Sequence, residues 1–150
     1  MKPLIVLLSV FVIALFVLKI MHGEYEPAYA ARIAMSVMLM FTAIAHFKFT
    51  KGMAMMLPGF IPFKTAMVYL TGVIEILAAI GLQIAGWSVV TAWLLMLFFI
   101  IILSANIYAA VQKVDYEKAT LEGKGIRYLW FRVPLQILFI VWTYFSCIVH

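Results

Sequence analysis

Residues 69–82 read YLTGVIEILAAIGL, an apolar run with one ionisable residue, Glu75, at its centre. Extended to residues 65–85, the run is close to the ~20 residues that cross a bilayer. Insertion scales set the cost of a charged Asp, Lys or Arg at the middle of such a helix at about 2.5–3.5 kcal/mol, and Glu75 should cost a similar amount. An acid in that position needs a partner, a proton or a purpose. Its neighbours in the rest of the chain decide among these.

The whole chain resembles this run. Of its 150 residues 67% are apolar and 11% charged, whereas soluble domains are nearer 45–50% and 25%. One soluble core cannot bury that much apolar surface, but lipid can cover it on every side. The composition therefore specifies an integral membrane protein with the bilayer as its solvent. The net charge of +5 does not point to nucleic acid, because the cations gather in short loops instead of along one helix face. The single cysteine, Cys147, excludes an internal disulfide, a CxxC redox pair and a cysteine-based zinc cluster. Near the end of the last apolar run, it reads as a small hydrophobe.

Five apolar segments are expected to span the membrane, at residues 3–20, 29–47, 65–85, 88–111 and 128–148. With five spans, the N-terminus and the second and fourth loops share a side. That side carries Lys2, Lys48, Lys51, Lys64, Lys113, Lys118, Lys124 and Arg127, and the other has only Lys19 and Arg32 at its edges. Eight cations against two place the N-terminus in the cytoplasm and the C-terminus outside by the positive-inside rule. Residues 28–30, AYA, have the form of a signal-peptide cleavage site. Lys19, His22, Glu24 and Glu26 intervene, however. That spacer is too long and too charged for ordinary processing, and the first helix is expected to be retained.

On this topology the polar residues converge in the cytoplasmic half of the membrane. Glu75 lies ten residues into the third span, roughly 15 Å deep at 1.5 Å per residue. The second span ends with TAIAHF, placing Thr42 and His46 at i, i+4. The fourth carries Asn106 one turn before its cytoplasmic end, and the fifth carries Arg132 and Gln136 on one face. Thr71 shares Glu75's face, and Tyr69 adds a phenol near the interface. Arg132 has two options, reaching in toward Glu75 or snorkelling outward. Asn106 and Gln136 read equally well as hydrogen-bond glue between helices. The candidate ligand-binding residues are His46, Tyr69, Glu75, Asn106, Arg132 and Gln136, with Glu75 the one candidate for catalysis; the sequence holds no metal-ligand pattern.

Gly72 and Gly81, with Ala78 and Ala79 between them, permit close helix approach in the third span. Pro134 has no N–H for the carbonyl of Trp130, so a kink is expected just below Gln136. Residues 51–64, KGMAMMLPGFIPFK, contain two prolines and two glycines, which disfavour helix. Their Met and Phe are too apolar for a solvated linker. The segment either dips into the interface below the cluster or lies on the headgroups. None of HExxH, GxSxG, a Gly-rich phosphate loop or a paired Asp site is present.

The order AHF (45–47), LPGFIPF (57–63), YLTGVIEILAAIGL (69–82), SANIYAA (104–110) and WFRVPLQ (130–136) resembles the DoxX-like family of small bacterial membrane proteins over roughly residues 30–145. The resemblance implies an all-α, four-helix transmembrane bundle at residues 29–150. Residues 1–28 are then an additional N-terminal transmembrane helix and its external loop. It also implies the bacterial inner membrane and shared roles for His46, Glu75, Asn106, Arg132 and Gln136. Relatives often carry proline before the Ala-Asn of SANIY, and its absence here implies a straighter fourth span. Family members are associated with quinone-linked redox enzymes and membrane redox-stress complexes. The expected function is binding of a small apolar ligand, a quinone or lipid, beside the buried polar cluster, as a subunit of a redox or stress-response assembly with a membrane partner protein. Two alternatives stand beside it: an enzyme using Glu75 as acid or base on a quinone-like or sterol-like substrate, and a proton-coupled carrier.

Overall fold

The computed structural model describes all 150 residues. The chain is all-α, with helices α1 (Lys2–His22), α2 (Pro27–Lys48), α3 (Thr50–Ala54), α4 (Lys64–Gly81), α5 (Ser88–Val111) and α6 (Leu129–Cys147), the last preceded by a 3-10 turn at Gly125–Tyr128. Five of them, all but α3, are long and apolar enough to cross a membrane. Between 17% and 33% of each span is buried inside the protein. The remainder is mostly apolar surface, and at about 25 cal/mol per Å² against exposure to water it requires a lipid covering. This is a multi-pass membrane protein.

Local sequence explains where the helices begin and end. Pro3 and Pro27 stand in the first turns of α1 and α2, where a missing N–H costs nothing. Gly23 ends α1 in the left-handed conformation at φ 81° and donates its N–H to the carbonyl of Lys19. α4 stops at Gly81, four residues short of the expected 85, because residues 82–87 form tight turns that reverse the chain into α5. At Gly81 an added Cβ would lie 2.5 Å from the Thr91 hydroxyl, so α4 and α5 cross there only because no side chain intervenes.

α2 is the hub, packed against α1, α3, α4 and α6, while α5 packs chiefly on α6. One core joins all five spans, including Met35, Met38 and Leu39 of α2, Leu82 just beyond α4, Leu95 and Phe99 of α5 and Phe139 of α6. Leu7 of α1 is fully buried in that same core, and Phe11 meets Trp142 of α6 edge-on at 5.1 Å. Trp142 in turn donates its indole N–H to the carbonyl of Ala31 at 3.0 Å. The first helix is thus docked into the bundle.

One expectation about an irregular segment needs correction. The 51–64 stretch was expected to avoid helix, yet its start lies in α3, which includes Gly52. The Thr50 hydroxyl anchors that turn by donating to the carbonyls of His46 and Phe47. Gly52 has a packing reason: a Cβ there would fall 1.8 Å from the Tyr116 carbonyl of the α5–α6 connection. α3 therefore sits against the end of α2 that carries His46. The rest of the stretch turns outward, with Phe60 and Phe63 85% and 84% exposed at its tip. Pro134 lies inside α6, which runs on through it to Cys147.

Candidate functional site

The candidate site lies where α4 crosses α2. At Gly72 an added Cβ would be 3.0 Å from the Cβ of His46, and this close crossing brings the imidazole over the face of α4 that carries Thr71 and Glu75. His46 Nε2 lies 3.4 Å from Glu75 Oε1. On the other side of the ring, His46 Nδ1 is 3.0 Å from the Thr71 hydroxyl. That hydroxyl also lies 2.7 Å from the Val68 carbonyl, to which it donates. With its proton donated to Val68, Thr71 accepts from Nδ1–H, which leaves Nε2 facing Oε1 of Glu75.

Glu75 is 5% exposed, and its second oxygen, Oε2, is buried with no hydrogen-bond partner. Leaving a buried polar atom unmatched costs about 1–3 kcal/mol, and more when it is charged. The site is therefore short of one donor. Its chemistry is that of an acceptor facing a partner yet to be supplied, with the His46 imidazole beside the adjacent oxygen.

The other candidates are dispersed. Gln136 is 1% exposed and donates from Nε2 to the Phe99 carbonyl at 2.9 Å, bridging α6 to α5. Its Oε1 is buried without a partner. Asn106 turns back on its own helix, donating to the Ile102 carbonyl at 3.0 Å, and Thr42 does likewise with Leu39. Tyr69 lies on the outer surface, stacked on Phe47 at 5.7 Å.

Arg132 makes no ion pair with Glu75; the carboxylate's neighbour is His46. Its Nε is buried without a partner, and its charge acts on Met1 and Tyr116 at the end of the bundle. The Met1 amino group is held below its ordinary value by burial first, then by Arg132, Lys124 and Lys2. Burial pushes the Tyr116 phenol up to about 12, with Tyr128 and Glu117 adding to the shift and Arg132 opposing it. One hydrogen bond (His46–Thr71) and one 3.4 Å contact (His46–Glu75) thus unite His46, Thr71 and Glu75 alone, and the expected ring around one pocket does not close. Proximity in depth along a span does not fix which way each side chain turns.

Sequence reasoning missed a second polar contact between the same two helices. Ser36 donates to the Ala79 carbonyl at 2.8 Å and accepts from Gln83 Nε2 at 2.8 Å. The available signal was Gln83 itself, an amide inside an expected span, where interhelical hydrogen bonding is the ordinary use. No group of three or more His, Cys, Asp or Glu side chains gathers closely enough to hold a metal ion.

The family comparison falls on this region. A family model described as a domain of unknown function, DUF8561, matches residues 35–147. The chain belongs to this DUF8561 family. The matched segment holds most of α2 and all of α3 to α6, and hence His46, Thr71 and Glu75; α1 and the first two turns of α2 precede it. No curated protein and no solved structure matches the chain.

Proposed function

We propose that the protein binds a small, largely apolar ligand with a hydroxyl or similar donor at its head, of the quinol or lipid class, against Glu75 and His46. The observation that carries this reading is the unmatched, buried Oε2 of Glu75. A purely structural role explains it poorly: a single 3.4 Å contact to His46 is long for a charge-assisted bond. Leucine in that position would cost nothing in lipid, and replacing a buried ion pair by apolar residues is often stabilising. A ligand hydroxyl would supply the donor, and the apolar surroundings would hold its body.

The order of short motifs shared with the DoxX-like family supports the same reading, with the protein as a subunit of a redox or stress-response assembly in a bacterial inner membrane. The charge asymmetry of the loops supports a cytoplasmic N-terminus. A reporter enzyme fused after His150 should be active outside the cytoplasm, and activity inside would reverse the orientation. The alternatives of an acid–base enzyme and a proton-coupled carrier draw on one feature, the contact of the His46 imidazole with the Glu75 carboxyl group, with Thr71 behind the ring. Mass spectrometry of organic extracts from the purified protein tests the main reading. A stoichiometric quinone or lipid should accompany the wild type and be absent from Glu75→Gln, and its equal presence in both would overturn the proposal.

A further inference from the structure

The side of the protein opposite the lysine-rich loops keeps two cations at its edges, Lys19 and Arg32. Lys19 donates to the Tyr25 hydroxyl at 2.7 Å. Nearby, His22 and Glu26 pair at 2.6 Å. Arg32 has no carboxylate partner: its guanidinium lies over the Tyr29 ring, 5.3 Å from the centroid, and its Nε is buried without an acceptor. An unmatched guanidinium in a part of the chain otherwise poor in cations calls for an anion.

Tyr29 also lines a groove between α1 and α2, of about 400 Å³, whose other walls include Val10, Val17, Met21 and Ile33. From Val10 to Met21 the groove follows roughly 16 Å of α1 at 1.5 Å per residue. That is about half of the ~30 Å hydrocarbon thickness, hence the depth of one leaflet. It is apolar from the middle of the membrane to its edge, and its polar lining, His22 and Tyr29, falls at that edge. A transmembrane helix from a partner would need the full thickness. We propose that this groove holds one acyl chain of an anionic phospholipid, whose phosphate is bound by Arg32 beside Tyr29. A guanidinium offers the planar, paired donors that phosphate oxygens accept. The site lies ahead of the family-matched residues 35–147, so it is a property that α1 adds to the bundle and is independent of Glu75.

The test uses the full chain in mild detergent, titrated with phosphatidylglycerol or with phosphatidylcholine of the same acyl chains and read by native mass spectrometry. The wild type should retain one phosphatidylglycerol in clear preference. Arg32→Gln should weaken its retention about tenfold, the scale of one charge-assisted hydrogen bond, and remove the preference. Val17→Trp, which fills the groove and leaves Arg32 in place, should lose both lipids. Arg32→Lys, which retains the charge, should keep part of the preference and supports the reading if Arg32→Gln fails to fold. Equal retention of both lipids by the wild type would overturn the proposal. So would an Arg32→Gln protein that melts earlier yet keeps its preference, since Arg32 would then serve only to stack on Tyr29. Displacement of the lipid by millimolar inorganic phosphate would reduce the site to a free-anion site and overturn the acyl-chain assignment.

Discussion

α2 and α4 carry two polar contacts between the same pair of helices, and the two are built differently. At one end Ser36, Ala79 and Gln83 form two bonds of 2.8 Å, and the serine hydroxyl both donates and accepts. At the other, His46 and Glu75 stand 3.4 Å apart, and one carboxylate oxygen has no partner at all. The first is a satisfied latch of the kind that holds membrane helices together without a hydrophobic drive. The second is a poor latch made from more costly groups. Satisfaction marks the structural contact, and the unmatched atom marks the site with other work to do.

The largest expected effect tests that contrast directly. Glu75→Gln keeps the shape of the side chain and removes its ionisable oxygens, so bound ligand should fall at least tenfold while thermal stability in detergent stays close to wild type. A large loss of stability with ligand still bound would make Glu75 a structural residue after all. Ser36→Ala should behave in the opposite way. It orphans the Gln83 amide and removes a bond to Ala79, for a loss of about 1 kcal/mol, with ligand retention unchanged. If Ser36→Ala also strips the ligand, the two contacts are one coupled unit.

A smaller effect concerns the connection that packs on α3. Tyr116 is half-buried beside Phe49, and its phenol is raised from 10.0 to about 12. Below pH 10 both folded and unfolded chains hold the proton. Between about 10 and 12 only the unfolded chain releases it, so stability should fall with rising pH through that window and level off above it. Comparing melting at pH 9 and pH 11 for the wild type and Tyr116→Phe checks this. The wild-type decline should exceed that of the variant, and identical declines would mean that Tyr116 is wetter than its burial indicates.

The spans were legible in the sequence because a transmembrane helix is a one-dimensional object. Twenty apolar residues satisfy their own backbone hydrogen bonds and need only lipid around them. Hence composition and run length placed α1, α2, α5 and α6 within a few residues of where they fold. Glu75 stood out as the acid that such a run should not contain. The glycines at 72 and 81 were legible as points of close approach for the same reason, since absent side chains are visible in sequence. What sequence could not assign was partnership. His46, not Arg132, stands beside Glu75. Asn106 bonds its own helix, and Gln136 reaches the backbone of α5. Depth in the membrane follows from counting residues, but the rotation of each helix about its axis, and the choice among several acceptors within reach, follow from how neighbouring surfaces pack. A rotation of 100° between successive residues separates side chains that counting alone sets side by side, so the tertiary structure alone decided which oxygen of Glu75 was left without a donor.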